Sequence, residues 1–281
     1  ALGFGNAEWA KQPQMASARR VEIDFELWPF VFKRQTRIAE VRLSAPQLLL
    51  ETGPKGVGNW VFGDESSEPI QLKRLWIDKG RLQFFDEPNK TGLDISVNSA
   101  KAGVKDSAPP IDIKGKGRWT GSRFTLAGRA ESPLELTNGA EPYRIDLRAS
   151  AGPTNAHARG EVANPFQLRD FSLQLALSGQ NLEDLYPLIG LATPATPPYK
   201  LDGRLTRKGK TWHYDDFNGV VGDSDLQGSA AVTTGRERPL LVANLLSKRL
   251  DFDDLAGFLG ATPQTGGDEA TNPELKAKAA A

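Results

Sequence analysis

The chain contains no cysteine. That excludes disulfides and thiolate metal sites. Histidine is scarce: 2 residues, His157 and His213, are the whole supply, which thins the choice of general bases. No run of 18 apolar residues exists, so no segment has the make-up of a membrane-spanning helix. Net charge is lacking too, with 35 Lys+Arg against 35 Asp+Glu. A general nucleic-acid binder needs a basic surplus, and the basic pairs Lys33-Arg34 and Lys73-Arg74 stand alone. No nucleic-acid partner is expected. The chain starts at Ala1 without an initiator methionine or a signal-like apolar core, and a piece of a longer protein is expected.

What is present is alternation. At 39% hydrophobic, 281 residues can bury a core. Val21, Ile23, Phe25 and Leu27 alternate with Glu22, Asp24 and Glu26; Ala39, Val41, Leu43 and Ala45 alternate with Glu40, Arg42 and Ser44. A period of two marks a strand with one wet and one dry face. Between these runs lies an apolar knot, Leu27-Trp28-Pro29-Phe30-Val31-Phe32, whose proline opposes a central strand. Further on, Leu72–Ile77 and Arg81–Phe85 flank Asp78-Lys79-Gly80, a hairpin signal. Leu93, Ile95 and Val97 form the next run. A second hairpin is expected from Ile111–Trp119 and Phe124–Ala130 around Thr120-Gly121-Ser122. Seven later runs follow, at Tyr143–Ala149, Ala156–Val162, Phe171–Leu177, Tyr199–Leu205, Trp212–Phe217, Leu226–Val232 and Leu240–Leu246.

The fold expected is mainly β: a long, strongly curved antiparallel sheet, groove-like or open-barrel-like, with a few short helices. So many strands exceed the usual sheet of about 5, and such a sheet must curl, split or close. Glycine occupies the apolar phase at Gly115, Gly117, Gly128, Gly160, Gly203 and Gly228, which marks bulges, bends or close backbone approach. Two helix-like stretches are similar, Asn181–Gly190 and Asp251–Gly260, with Asp184-Leu185 matching Asp254-Leu255 at a shift of 70. Each has a capping start and a glycine stop, so a strand-then-helix unit recurs. Residues from Thr265 on are polar and poor in apolar content, as in a disordered tail or linker.

No pattern points to catalysis. Asp215-Asp216 and Asp223-Ser224-Asp225 hold hard oxygens but no calcium-loop spacing, and turns explain them. Asp251, Asp253 and Asp254 suit a helix N-terminus. His157 and His213 fall in the polar phase. Thr120-Gly121-Ser122 is no nucleophile elbow, and Gly115-Lys116-Gly117 and Gly53-Pro54-Lys55-Gly56 lack phosphate-loop spacing. No cofactor, metal or catalytic residue is expected. The apolar strand faces remain, hidden either against a second sheet or against a ligand.

Three stretches resemble the AsmA family of Gram-negative envelope proteins. The first runs from Leu27-Trp28-Pro29-Phe30 through Val41–Glu51 to Gly58-Asn59-Trp60-Val61-Phe62. The others are Leu177–Leu185 and Leu246–Leu255. The resemblance implies a periplasmic protein held in the inner membrane by an N-terminal helix, with a long apolar β-groove and a part in outer-membrane biogenesis. Phospholipid or another lipid is the implied partner, with the inner membrane and other envelope proteins. This division follows: residues 1–20 a linker after a missing membrane anchor; 21–262 the groove domain (21–190, then 191–262 as a second strand-helix repeat); 263–281 a tail or linker.

The inward-phase residues expected to line the groove are Ile111 and Ile113, Phe124 and Leu126, Ile145 and Leu147, Phe171, Leu173 and Leu175, and Leu201 and Leu205. Trp28, Phe30 and Phe32 are expected near the membrane-proximal end, either as an aromatic foot or as a local mini-core. The function expected is non-enzymatic shielding or conduction of acyl chains. The alternatives are a scaffolding β-domain with a sealed core that assists outer-membrane protein assembly, and a carbohydrate-active β-enzyme with two facing carboxylates.

Overall fold

A computed structural model of the chain describes residues 2–26, 37–53, 56–61, 71–87, 90–100, 108–136, 142–164, 169–189, 193, 195–234 and 240–254. In chain order the strands are β1 (Leu2–Gly5), β2 (Gln14–Ala18), β3 (Arg20–Phe25), β4 (Arg37–Ser44), β5 (Gln47–Glu51) and β6 (Gln71–Asp78). Then come β7 (Gly80–Asp86), β8 (Thr91–Ser99), β9 (Ile111–Trp119), β10 (Ser122–Ala130), β11 (Tyr143–Ala151) and β12 (Thr154–Asn164). The set ends with β13 (Arg169–Gly179), β14 (Tyr199–Lys208), β15 (Thr211–Val221), β16 (Ser224–Thr233) and β17 (Leu240–Leu246). A 14-stranded sheet has the order β1-β2-β5-β7 and then β8 to β17 in sequence; β3-β4-β6 make a 3-stranded sheet. The chain forms two compact units, Ala1–Leu147 and Arg148–Ala281.

In the first unit, β2 and β3, β4 and β5, and β6 and β7 are successive strands that pass from one sheet to the other without reversing. The corners sit at Ala45 (φ 48°) and Lys79 (φ 53°). Ladder bonds continue through them, Ala45 N–H donating to Asp78 O at 2.7 Å and Arg81 N–H to Pro46 O at 2.8 Å. The expected hairpin at Asp78-Lys79-Gly80 is therefore corrected to a corner. A left-handed residue bends a strand as readily as it closes a turn, and Gly80 pairs with Val97 instead. β4 runs parallel to β6 and β5 parallel to β7. The connection over residues 52–70 is long enough for the crossover that parallel pairing requires. The second expected hairpin is present: β9 and β10 pair from Trp119↔Ser122 to Ile111↔Ala130. Thr120 (φ 45°) and Gly121 (φ 93°) both take the positive φ of a two-residue hairpin turn.

In the second unit, β12 to β17 form an antiparallel meander. A bulge at Asp215-Asp216 shifts β15 against both neighbours. The helix expected at Asn181–Gly190 is a 3-10 turn, Leu182–Leu185, running into a one-turn helix, Tyr186–Ile189. Asn181 caps it by accepting from Glu183 N–H at 2.9 Å. Of the similar stretch at 251–260, residues 251–254 are described, and they make a turn.

Mainly β and mostly antiparallel, the long sheet matches the expected class, but its strong curvature is corrected. Among the described residues the sheet is not closed, with β1 and β17 each having one neighbour. Inward residues such as Leu175, Leu201 and Leu126 stay half-buried rather than enclosed. The apolar-phase glycines explain the difference. Gly160 (φ 141°) and Gly228 (φ 151°) have backbones that suit glycine alone. A Cβ at Gly228 would run into Asn244 O, and one at Gly160 would lie 2.6 Å from Ser172 O. These glycines permit close strand approach, while the register through Gly160↔Leu173 and Gly228↔Leu245 continues.

Candidate functional site

The candidate site is the apolar face of the sheet, built by alternation and assembled by register. In the first unit the cross-strand rows are Leu93–Gly117–Phe124, Ile95–Gly115–Leu126, Val97–Ile113–Gly128 and Ser99–Ile111–Ala130. In the second they are Val162–Phe171, Ala158–Leu175–Gly203, Ala156–Leu177–Leu201–Gly219–Leu226 and Gly160–Leu173–Leu205–Tyr214–Ala230–Ala243. In rows such as Leu93–Gly117–Phe124 and Ile95–Gly115–Leu126 large residues flank a glycine, and the Ile95 side chain lies against Gly115.

The face is graded from sealed to open. Ile95, Val97, Ile111, Ala130 and Tyr143 form a buried cluster in the first unit, with Ile113, Leu126 and Ile145 packed partly against it. Tyr199, Phe217, Val221 and Leu226 form the cluster of the second, with Leu177, Leu182 and Leu201 at its margin. Aromatic rings cover glycines where they are directly opposed: a Cβ at Gly117 would lie 2.5 Å from Phe124 Cζ, and one at Gly179 2.8 Å from Tyr199 Cε1. Tyr214 stacks on Phe217 with centroids 5.2 Å apart. Phe171 meets Trp212 at 5.7 Å, and the Arg207 guanidinium lies 4.8 Å from the Trp212 ring.

Two tyrosine hydroxyls on this face are tied down, whereas the buried Tyr199 hydroxyl has no hydrogen-bond partner among the described residues. Tyr143 donates to Glu131 O at 2.6 Å and Tyr214 to Leu175 O at 2.9 Å. Burial pushes both hydroxyls well above the usual tyrosine range, with Glu131 adding to the rise at Tyr143 and Asp202 at Tyr214. Both therefore act as donors. On the opposite face, Arg81 pairs with Asp94 at 2.6 Å and Arg129 with Asp112 at 2.9 Å. Arg81 also holds the Asp94 carboxyl below the usual range. Such exposed pairs add little stability, but they keep this face wet and its charges balanced.

Of the residues named from sequence, Ile111, Phe171 and Leu173 are buried. Ile113, Phe124, Leu126, Ile145, Leu147, Leu175, Leu201 and Leu205 are half-buried. Trp28, Phe30 and Phe32 lie outside the described residues. His157 and His213 stand on separate strands, β12 and β15. Among the described residues no group of three or more His, Cys, Asp or Glu could hold a metal, and no helix is long and apolar enough to cross a membrane.

Sequence reasoning missed the polar clamp that ends the second unit. Asp254, buried, accepts from Asp223 N–H, Ser224 N–H and Ser224 Oγ at 2.8–2.9 Å. Asp225 accepts from Ser247 Oγ, Lys248 N–H and Arg249 N–H. The recurrence at 70 residues was the available signal. It relates Gly152 to Gly222, with φ of 56° and 58°, and Thr154 to Ser224, both buried at a strand start. Asp254 holds the Asp223-Ser224 turn; the rest of the helix expected at 251–260 lies outside the described residues. Pro153 has no N–H to offer the equivalent Asp184.

Comparison with known proteins gives one relative. The chain is 28% identical over 296 aligned positions to "AsmA family protein YhjG" of Escherichia coli (strain K12), covering 94% of this chain and 43% of that protein. This chain is a homologue of an AsmA family protein. It spans less than half the length of that relative. No family model and no solved structure matches it. The match extends over both units.

Proposed function

We propose that this chain is a non-enzymatic part of a cell-envelope protein, periplasmic and anchored to the inner membrane in its full-length form. In this reading its apolar sheet face shields phospholipid acyl chains between inner and outer membrane. The observation that carries the proposal is the graded face: rows of leucine and isoleucine run off the buried clusters and remain half-exposed at Leu126, Leu175, Leu201 and Leu205. Similarity to an AsmA family protein supports it. No bond is broken. Transfer is driven by removing methylenes from water, about 0.8 kcal/mol for each one shielded. An open face suits this task better than a closed barrel, since a chain can enter anywhere along it.

The test is photo-crosslinking from Leu126, Leu175 and Leu201 in the full-length protein in cells. Phospholipid adducts at these positions, and none from exposed Arg129, are expected. Folded protein with no adduct at any of the three sinks the proposal. The second reading, a scaffold for outer-membrane protein assembly, draws on the sealed clusters around Tyr143 and Tyr199. It predicts protein adducts in place of lipid.

A further inference from the structure

The wet face of the β9–β10 hairpin, in the first unit, gathers charge of one sign. Opposite the apolar rows, Lys114, Lys116 and Arg118 stand on β9, and Arg123 and Arg129 on β10, all exposed. The acid that shares the face, Asp112, is paired with Arg129 at 2.9 Å. On the neighbouring strand Asp94 is held by Arg81 at 2.6 Å, and Lys116 contributes only the smallest pull on it. Among the described residues no acid pairs with Lys114, Arg118 or Arg123. Arg118 and Arg123 face each other directly, one pair from the turn. Like charges so opposed destabilise a ladder, and an acid at either position would relieve it. The hairpin's own folding therefore does not account for the pair.

Exposed rings lie at the same strand ends. Trp119, the last residue of β9, continues the apolar face past the row Leu93–Gly117–Phe124 and is 38% exposed. Phe85 belongs to the row Phe85–Gly92–Arg118–Arg123 and is 46% exposed. Thr52 N–H donates to Phe85 O at 2.9 Å, which brings up Trp9, packed on Gly53 and 42% exposed. Exposed Lys90 joins them, since Gly121 N–H donates to its carbonyl at 3.3 Å. Of the acids at this end, Asp86 is half-buried and Glu87 is paired with Lys11 at 2.9 Å. Aromatic rings settle at headgroup depth in a bilayer, and Lys and Arg are drawn to anionic lipid. The place of Trp119 favours lipid over an acidic protein. It joins the apolar face to the basic end, so acyl chains pass from bilayer to face without crossing water. We infer that this end of the first unit, the β9–β10 turn with Lys90, Trp9 and Phe85 beside it, docks on an anionic lipid surface. The inference rests on the proposed function for its setting and adds the surface on which the protein works: cations hold the protein to the bilayer, while a shielded lipid is still held by its chains.

Sedimentation with vesicles tests it, using phosphatidylcholine with phosphatidylglycerol against phosphatidylcholine alone. The chain is expected to bind the anionic vesicles only, and less as salt rises. Arg118→Gln with Arg123→Gln is expected to weaken binding about 25-fold, at about fivefold per cation, with the melting curve unchanged or raised. Arg129→Gln, at the other end of the same hairpin, is expected to change it by less than about twofold. Trp119→Ala is expected to weaken it severalfold and to keep its salt dependence. Absence of binding to the anionic vesicles overturns the inference. So does binding that survives loss of both arginines, or that falls as far with Arg129→Gln, because charge anywhere would then serve. Poly-glutamate bound as tightly as the vesicles, with Trp119→Ala affecting neither, overturns it in favour of an acidic protein. Lipid adducts at Leu126 and Leu175 are read separately, so docking without shielding and shielding without docking are told apart.

Discussion

Asp254 holds three donors from one turn, and its carboxylate is buried. Removing it leaves Asp223 N–H and Ser224 N–H without an acceptor. Asp254→Ala is expected to lower stability by about 3 kcal/mol in urea unfolding, whereas Asp253→Ala stays within about 0.5 kcal/mol. Asp225 gives the pH-sensitive counterpart. Arg249 N–H, then Ser247 Oγ and Lys248 N–H, hold its carboxyl below the usual range. A depressed folded value means the contact is fully present above the ordinary aspartate pKa and is lost as pH falls through the lower folded value. The Arg249 amide resonance is expected to titrate with a midpoint below the ordinary aspartate value, and Asp225→Asn to abolish that titration. Gly228 adds a steric case: its positive φ and the nearby Asn244 O leave no room for a Cβ. Gly228→Ala is expected to unpair β17 from β16, seen as fast hydrogen exchange at the N–H groups that β16 and β17 donate to each other.

At the scale of the strand, position along the strand matters as much as phase. Leu173 and Leu175 are the same residue type on the same face of β13, two residues apart. Leu173 lies in the row next to Val162–Phe171, and all three are buried. Leu175 sits between Ala158 and Gly203 and stays half-buried. Leu173→Ala is accordingly expected to cost about 3 kcal/mol in urea unfolding. Leu175→Ala is expected to cost about 1 kcal/mol, because its methylenes are only partly removed from water. If both cost the same, the face is sealed at Leu175 and the lipid-shielding reading weakens. The corners at Ala45 and Lys79 belong to the same scale. They let one continuous run of chain serve two sheets, and the ladder bonds that bridge them satisfy backbone groups that a break would strand.

For the molecule as a whole, balanced charge and a one-sided apolar face go together. With 35 cations against 35 anions the chain carries no net charge, so on the proposed reading a lipid would be held by its chains and not by its headgroup. Affinity for single-chain amphiphiles is therefore expected to rise with acyl length, up to about fourfold per methylene. It should change little with headgroup charge or with salt. Titration of a saturated series by displacement of a fluorescent fatty acid checks this. An affinity flat in chain length and steep in salt removes the hydrophobic mechanism.

Much of the fold was legible because side-chain alternation is local. The runs from Leu93 to Leu246 became β8 to β17, and Thr120-Gly121 closed its turn, since each rests on a few adjacent residues. The apolar phase was legible for the same reason, and so was the similarity to an AsmA family protein, through the motifs around Val41–Glu51 and Leu177–Leu185. Pairing partners were not. The parallel match of β4 with β6 and the corner at Lys79 depend on chain far away in sequence. The same holds for the burial of Leu173 against the half-exposure of Leu175. Alternation determines which way a side chain points; only the neighbouring strands decide whether anything lies above it, and that separates a sealed core from an open face.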